Sequence, residues 1–399
     1  MIFKHITKTV WYISLISLFN DFSSEMLYPI IPMYLQQVGY GTWAIGVLEG
    51  IAELVAGFSK IALGRLSDVY NRRLPFVQLG YFLSVVSRPL IGLTSYLGVI
   101  FTARSLDRIG KGIRGGARDA MLDDACEPEH RAEVFGFHRS MDTLGAVFGP
   151  LTALVFLYFR PADYKSLFLL SILPGLVALI IGFKLKEKST NPLQVKPNAQ
   201  KLSVKLKTYF LFYKTAPKGF LNWLGIFFVF ALVNSSDMFL LLRAKESVVS
   251  EITVLQLYMW FNLCFALTSY PIGRISKHVG LKPTFQVGLI CFSLSYFILA
   301  SISPLSSTLI LFLAFTVYGL YYAFTQGIVK TILLNQVNKE SKASAIGLYE
   351  GLNSFGLLIS NIVTGLCWYK FGAESVLWVI GFIVMLISLV LSFKKNKFN

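Results

Sequence analysis

The chain has 399 residues, of which 55% are hydrophobic and only 15% are charged, and its mean hydropathy is +0.61. A soluble protein of this length needs far more charge to cover its surface, so this composition excludes a soluble globular protein. The apolar runs are about 20 residues long and unbroken, which indicates membrane-spanning helices rather than the shorter alternating strands of a membrane barrel.

Apolar runs of spanning length predict an all-α integral membrane protein with twelve transmembrane helices, which we number as predicted spans 1 to 12. They lie near residues 10–37, 42–65, 74–95, 97–118, 132–158, 165–186, 217–242, 252–274, 281–302, 305–334, 343–369 and 374–393.

The net charge of +16 would also suit nucleic-acid binding, but the positions of the basic residues exclude that reading. Lysine and arginine collect in alternate loops, and the tail after span 12 is also basic. This is the positive-inside pattern, and it predicts that both termini lie in the cytoplasm. We therefore expect a multi-pass protein of a bacterial inner (cytoplasmic) membrane.

The longest loop, between predicted spans 6 and 7, is polar and rich in lysine. It divides the chain into an N-terminal six-helix bundle at 1–187, a cytoplasmic basic linker at 188–216 and a C-terminal six-helix bundle at 217–399. We interpret the charge of the linker as topology and attraction to anionic lipid headgroups.

The two halves repeat each other at an offset of about 210 residues. "SSEM" at 23–26 returns as "SSDM" at 235–238, and "GRLSDVYNRR" from Gly64 returns as "GRISKHVG" from Gly273. "FGFHRSMDTLG" at 135–145 returns as "IGLYEGLNSFG" at 346–356. Three matches in one register predict two six-helix pseudo-repeats, as in many transporters.

Ionisable residues lie inside the predicted spans, where each charge costs at least about 2.5–3.5 kcal/mol and therefore needs a partner or a water-filled cavity. Asp21 and Glu25 are one helical turn apart and share a face, and charges follow one side of span 4 at steps of three and four residues. We assign a proton-coupling and substrate cavity to Asp21, Glu25, Arg104, Arg108, Asp142 and Asp237. We assign a structural buried charge network to Glu49, Glu53, Arg88 and Asp107.

A carboxylate that exchanges between apolar walls and an arginine partner can take up and release a proton, which is the physical requirement for proton coupling. Small residues and a proline in spans 4 and 5 predict close helix packing and bending. These residues are Gly112, Gly145, Gly149 and Pro150.

The segment "GKGIRGG" lacks the spacing of a phosphate loop, so it does not predict nucleotide binding. The four cysteines are scattered and form no metal-ligand spacing. We therefore expect no cofactor, no metal and no catalytic set.

The motif "GRLSDVYNRR" resembles the signature of the major facilitator superfamily, with Gly64, Asp68, Arg72 and Arg73 as matching residues and Val69 and Asn71 as departures. Arg108 and Gly112 resemble the superfamily's Arg-x-x-x-Gly pattern in helix 4. "GAVFGPLTA" resembles the helix-5 motif of drug–proton antiporters, with Ala153 in place of a glycine. No subfamily is assigned.

This resemblance implies the MFS fold, with helices 1, 4, 7 and 10 around a central cavity and two halves that alternate its access. It also implies that Asp68 and Arg72 form a cytoplasmic gate, and that Arg108 tunes the protonation of Asp21 or Glu25. We therefore expect a monomeric secondary active transporter in the lipid bilayer whose partners are protons and a small-molecule substrate.

Three functions stay open on the sequence. The partial antiporter motif favours proton-coupled efflux of a small organic molecule. The arginines of the first half would suit uptake of an anionic nutrient, a siderophore or another metal chelate. A non-transporting membrane sensor or scaffold is the third, although a scaffold does not need costly charge inside the membrane.

Overall fold

The computed structural model describes residues 6–63, 72–127, 131–185, 212–247, 250–303, 308–338 and 341–393. The regular secondary structure in these ranges is helical, and they contain no strand. The helices of the first half are α1 Lys8–Glu25, α2 Ile31–Gln37, α3 Thr42–Leu63, α4 Leu74–Gly92, α5 Leu97–Asp124, α6 Arg131–Phe159, α7 Tyr164–Leu170 and α8 Ile172–Lys184. Those of the second half are α9 Lys218–Ala231, α10 Asp237–Ser247, α11 Glu251–Val279, α12 Leu281–Ala300, α13 Thr308–Asn335, α14 Lys342–Phe371 and α15 Ala373–Phe393.

Within the described ranges, nine helical segments are long and apolar enough to cross a membrane, and α9 is a shorter apolar helix. Predicted spans 1, 4 and 7 are not among the nine. In spans 1 and 4 the reason is charge, because α1 and α5 carry the acidic and basic residues described above. In span 7 the reason is an interruption between α9 and α10. The all-helical architecture agrees with the prediction, and these three exceptions are spans that the family resemblance places around the cavity.

Two interruptions follow from local chemistry. In span 1, α1 ends at Glu25 and a 3-10 turn follows at Tyr28–Ile30, because Pro29 has no N–H to continue the α-helical ladder. In span 6, Ser171 separates α7 from α8. Its hydroxyl donates to the carbonyl of Phe168.

Span 7 also continues further than expected. We predicted its end near 242, but α10 reaches Ser247 and places Arg243 in the helix. The Arg243 guanidinium donates to the carbonyl oxygens of Leu299, Ala300 and Ile302, at 3.0, 3.4 and 2.6 Å. A cation that satisfies the last carbonyls of a neighbouring helix is stabilised inside protein, so this arginine does not have to lie in a loop.

The chain forms two compact units, one of Met1–Tyr34 with Ile51–Lys205 and the other of Leu35–Gly50 with Leu206–Asn399. In the first unit α1 packs on α6 and α8, and α4 packs on α5. In the second unit α12 packs on α13 and α15, and α11 packs on α13. The predicted boundary at 187/188 falls in 186–211, outside the described residues. It and the boundary at 216/217 stay predictions.

Glycines allow the closest helix approaches in the first unit. A Cβ at Gly145 would lie 2.4 Å from the carbonyl oxygen of Leu18, and one at Gly149 would lie 2.6 Å from the amide nitrogen of Met26. Real Cβ atoms do not come this close, so α6 can contact the backbone of α1 only because these two positions have no side chain.

The second unit has a glycine in close helix contact at the repeated position. Gly356 of α14 is the counterpart of Gly145 in the internal repeat, and a Cβ there would lie 2.8 Å from the Cβ of Ala231, the last residue of α9. Span 5 therefore packs on span 1 as span 11 packs on span 7. This equivalence within each unit supports the duplication inferred from the sequence.

Candidate functional site

A buried ion pair joins spans 3 and 4 in the first unit. Arg88 of α4 and Asp107 of α5 are 4% and 6% exposed, and Arg88 Nη2 lies 3.1 Å from Asp107 Oδ1. Arg88 Nε donates to the same oxygen at 3.2 Å. Its two terminal nitrogens donate to the carbonyl and the side-chain oxygen of Asn20 in α1, both at 3.0 Å. The guanidinium therefore binds three helices together.

Further basic residues of α5 extend this network. Arg104 is 6% exposed, lies 3.9 Å from Asp107 Oδ2 and stands over the Tyr28 ring with 5.7 Å to its centroid. Arg114 donates to the hydroxyl of Ser84 at 2.6 Å. The stripe predicted on span 4 therefore holds cations that are partnered by acidic, aromatic and hydroxyl groups, as buried charge requires.

The two acids of α1 lie at the partly open side of this network. Asp21 and Glu25 are both half-buried, and Asn20 Nδ2 donates to Asp21 Oδ1 at 3.2 Å. Lys111 of α5 is exposed and lies within electrostatic range of both carboxylates. Spans 1 and 4 therefore bring two carboxylates and a cation together where solvent can reach them.

A second titratable cluster lies on α6. His138 Nε2 is 3.6 Å from Asp142 Oδ2, and the other ring nitrogen of His138 shares a hydrogen bond of 3.3 Å with the hydroxyl of Ser14. Asp142 Oδ1 is buried and has no hydrogen-bond donor among the described residues. The charged groups within electrostatic range of Asp142 come from α1, α5 and α6, and they are Asp21, Arg114, Arg118 and Arg139.

In the second unit, the acid of "SSDM" occupies the first position of α10. Asp237 is half-buried, and the hydroxyl of Tyr318 donates to Asp237 Oδ1 at 2.5 Å. The hydroxyl of Tyr322 donates to the same carboxylate at 2.8 and 3.1 Å. Both tyrosines belong to α13, so spans 7 and 10 meet at this carboxylate.

The break before Asp237 is fixed by α14. The side-chain oxygen of Asn361, which is fully buried, accepts a hydrogen bond of 2.7 Å from the amide of Ser236. Ser236 Oγ in turn accepts from the amide of Met238 at 3.4 Å, as an N-cap residue does. These contacts set the position from which the Asp237 side chain extends.

Further aromatic rings pack against the two tyrosines that bind this carboxylate. Phe261 of α11 lies 5.3 Å from Tyr318 and 5.1 Å from Tyr322, measured between ring centroids. Phe265, one turn further along α11, lies 5.7 Å from Tyr322. Tyr321 lies 5.1 Å from Tyr322. Of these rings Phe265 and Tyr322 are half-buried and the others are buried.

A further ion pair lies on α13 and α14, where Lys330 Nζ is 2.9 Å from Glu350 Oε1. Tyr322 and Lys330 are eight residues apart, about two helical turns. Span 10 therefore contacts both Asp237 and Glu350.

Of the predicted charge network, Arg88 and Asp107 are in direct contact. Glu49 is buried and Glu53 is half-buried in α3, and their place in this network stays a prediction. Arg108 is half-buried, and both Gly112 and Pro150 are buried in their helices.

The predicted gate motif falls mostly outside the described ranges, which include neither Gly64 nor Asp68. Arg72 is exposed. Arg73 forms an ion pair with Asp124 at the end of α5 and donates to the carbonyl of Ala120 at 2.9 Å. The contact proposed between Asp68 and Arg72 stays a prediction.

Sequence reasoning missed the neutral partners of two charged groups, namely Asn20 at Arg88 and the tyrosines at Asp237, and it missed Asn361, which accepts from the amide of Ser236. Each left a weak signal. Asn20 and Asn361 are amides inside apolar spans, and "YGLYYAF" places tyrosines three and four residues apart on span 10. A search for polar side chains that face the repeated acids would have selected them.

An all-helical chain with apolar spans, broken helices and partnered charges at membrane depth is organised as a multi-pass membrane transporter rather than an enzyme. The sequence model of the Major Facilitator Superfamily matches residues 13–349 and 223–398. An MFS-type transporter of Methanocaldococcus jannaschii is 31% identical over 377 residues, which is 92% of this chain and 89% of that protein. The chain therefore belongs to the major facilitator superfamily, and it is a membrane transporter.

Other comparisons agree on the fold. The crystal structure of a mutant of the nucleoside transporter NupG superposes with a TM-score of 0.82 at 13% identity, over 97% of this chain and 100% of that one. A POT family transporter in complex with 5-aminolevulinic acid gives 0.78 at 12% identity, over 98% and 96%. A probable 4-methylmuconolactone transporter of Cupriavidus pinatubonensis is 23% identical over 310 residues, which is 75% of this chain and 69% of that protein.

Proposed function

We propose that the protein is a proton-coupled secondary transporter that exports a small organic molecule across a bacterial cytoplasmic membrane by alternating access. The observation that carries the proposal is the titratable cluster of the first unit. Asp21, Glu25 and Asp142 lie on α1 and α6 among cations of α5, and Asp142 has a buried oxygen without a donor in the described part of the chain.

Such a cluster suits proton exchange for a physical reason. A carboxylate inside a protein holds its charge only while cations or hydrogen-bond donors face it, and it binds a proton when they withdraw. A helix movement that changes the distance from Asp21 or Glu25 to Lys111 would therefore load or release a proton. The glycines of α6 against α1 make such sliding sterically feasible.

Export is supported by the partial antiporter motif at Gly145 and Gly149, and the relative named for 4-methylmuconolactone supports a small organic substrate. Uptake of an anionic nutrient or metal chelate is the second candidate function. It is favoured by Arg104 and Arg108, which place two guanidinium groups one turn apart on α5.

Purified protein in liposomes loaded with a pH-sensitive dye tests the coupling. A panel of cationic, neutral and anionic metabolites and dyes is added under an imposed pH gradient, and solute and proton movement are recorded together. Wild-type protein should move protons with at least one solute of the panel. Glu25→Gln should abolish the proton flux while solute exchange without a gradient continues.

Glu374→Gln serves as the matched control, since it removes an exposed carboxylate at the start of α15. It should behave as wild type. Proton flux in Glu25→Gln equal to wild type would contradict the role of Glu25, and solute movement that ignores the pH gradient in wild-type protein would contradict proton coupling itself.

A further inference from the structure

The second unit contains a carboxylate bound by two tyrosines of an aromatic cluster, which the proposed function does not use. The cluster connects α11 and α13 through Phe261, Phe265, Tyr318 and Tyr322, with neighbouring ring centroids 5.1 to 5.7 Å apart. Asp237 receives the hydroxyls of both tyrosines. A carboxylate and an aromatic cluster therefore meet at these two tyrosine hydroxyls.

Hydrogen bonds from tyrosine orient this carboxylate without cancelling its charge, because hydroxyl groups are neutral donors. A negative charge in a membrane span is costly and is retained where it faces a functional partner. Asp237, Tyr322 and Phe265 are half-buried whereas Phe261 and Tyr318 are buried. The accessible members of the cluster are thus one carboxylate and two rings.

This combination selects its ligand by charge and by hydration. Aromatic faces attract cations within about 6 Å of the ring centroid, and the attraction increases when the cation is desolvated. An organic ammonium or phosphonium group carries apolar arms that suit Phe265 and Tyr322, while its charge suits Asp237. An anion would meet a carboxylate and the negative faces of the rings, so it is disfavoured on both counts.

We propose that Asp237, Tyr322 and Phe265 form a binding site for an organic cation, which is the substrate class of the transporter. The inference depends on the proposed function only in that it names the solute. It also assigns a different role to each of the two repeated acids. Glu25 of "SSEM" lies within electrostatic range of Lys111 and serves the proton, whereas Asp237 of "SSDM" accepts hydrogen bonds from Tyr318 and Tyr322 and serves the solute.

The test is direct binding to the full-length protein in lipid nanodiscs, with three probes of similar shape. They are tetraphenylphosphonium, the neutral triphenylphosphine oxide and the anionic tetraphenylborate, measured by equilibrium dialysis. Wild-type protein should bind the phosphonium at least about tenfold more tightly than the oxide, since about 1.4 kcal/mol of charge recognition corresponds to that factor. Saturable binding of the borate with equal or higher affinity would overturn the proposal.

Variants then locate the site. Asp237→Asn should weaken phosphonium binding about tenfold or more and leave oxide binding unchanged. Tyr322→Leu should weaken it about fivefold, and Tyr322→Phe should weaken it clearly less, because the phenyl ring keeps the face. Glu374→Gln, the exposed control in the same unit, should bind as wild type. Equal phosphonium affinity in wild type and Asp237→Asn would refute the site.

If Asp237→Asn does not fold, the wild-type probe series and the two Tyr322 variants still decide the question. Binding requires no proton gradient, so its result is independent of coupling. A protein that moves protons with some other solute but does not discriminate the phosphonium would keep the proposed function and lose this inference.

Discussion

The buried pair of Arg88 and Asp107 offers the most direct test of the energetics in the first unit. Asp107→Asn keeps the size of the side chain and removes its charge. Arg88 would then be a buried guanidinium, 4% exposed, that keeps neutral acceptors in the two oxygens of Asn20 and the new amide oxygen at position 107 but loses the carboxylate in contact with it. Removing one partner of a buried pair leaves an uncompensated charge, and this is more destabilising than the net value of the pair.

The expected destabilisation of Asp107→Asn follows from the distance between the two charges. At 3.1 Å the two unit charges attract by about 5 kcal/mol at an effective dielectric constant of about 20. Desolvation offsets part of this attraction, and the cost of breaking a buried pair is about 3–5 kcal/mol. Arg88 retains its two hydrogen bonds to Asn20, so we expect a destabilisation at the lower end of this range, about 3 kcal/mol. For a unit of 150–250 residues this corresponds to a decrease in Tm of roughly 6–12 °C.

Thermal unfolding of the purified protein in detergent, followed by tryptophan fluorescence, measures this decrease. The control is Asp119→Asn on the same helix, whose carboxylate is 52% exposed and pairs with Arg118. An exposed pair contributes about 0–1 kcal/mol, so this variant should melt within about 3 °C of wild type. Equal, small decreases in Tm for Asp107→Asn and Asp119→Asn would refute the reasoning, because burial would then not change how much an ion pair contributes to stability.

Two other predictions use the helix contacts and the topology. Gly145→Ala places a methyl group 2.4 Å from the carbonyl oxygen of Leu18 and should lower the Tm, because overpacking costs about 1–3 kcal/mol. The control is Gly182→Ala, whose methyl group meets no atom within 4 Å, so its Tm should equal or exceed that of the wild type. A Tm of Gly145→Ala at or above that of Gly182→Ala would contradict the close approach of α6 and α1. A reporter enzyme fused after Asn399 should be active only in its cytoplasmic form, since the basic residues of the tail favour that side, and periplasmic activity would overturn the assigned topology.

The sequence predicted the helical architecture well because the membrane imposes a strong and simple pattern. A spanning helix needs about 20 apolar residues, and the loops must be polar. The interruptions were harder to predict. Pro29 indicated the bend in span 1, but the break before Asp237 contains no proline and depends on Asn361, more than 120 residues further along the chain. Helical periodicity carries no information about a contact of that kind.

For the site, the sequence indicated which acids and bases lie at membrane depth but not how they pair. The sequence placed Arg88 and Asp107 in one network with Glu49 and Glu53, but it did not show that the first two pair directly or that Asn20 joins them. The place of Glu49 and Glu53 in this network stays a prediction. Spacing along one helix shows which residues share a face. It does not show which neighbouring helix faces them, so neutral partners such as Tyr318 and Tyr322 could not be predicted.

The interruption of span 7 has a consequence for how the protein tolerates its lipid surroundings. In hydrocarbon each unsatisfied backbone group costs several kcal/mol, so a broken helix usually draws water or headgroups towards it. Here the amides of Leu232, Val233 and Asn234 donate to carbonyls of α9, and the amide of Ser236 donates to Asn361. The protein itself supplies these acceptors, so these four amides need neither water nor headgroups, and the place of Asp237 is set by contacts within the second unit.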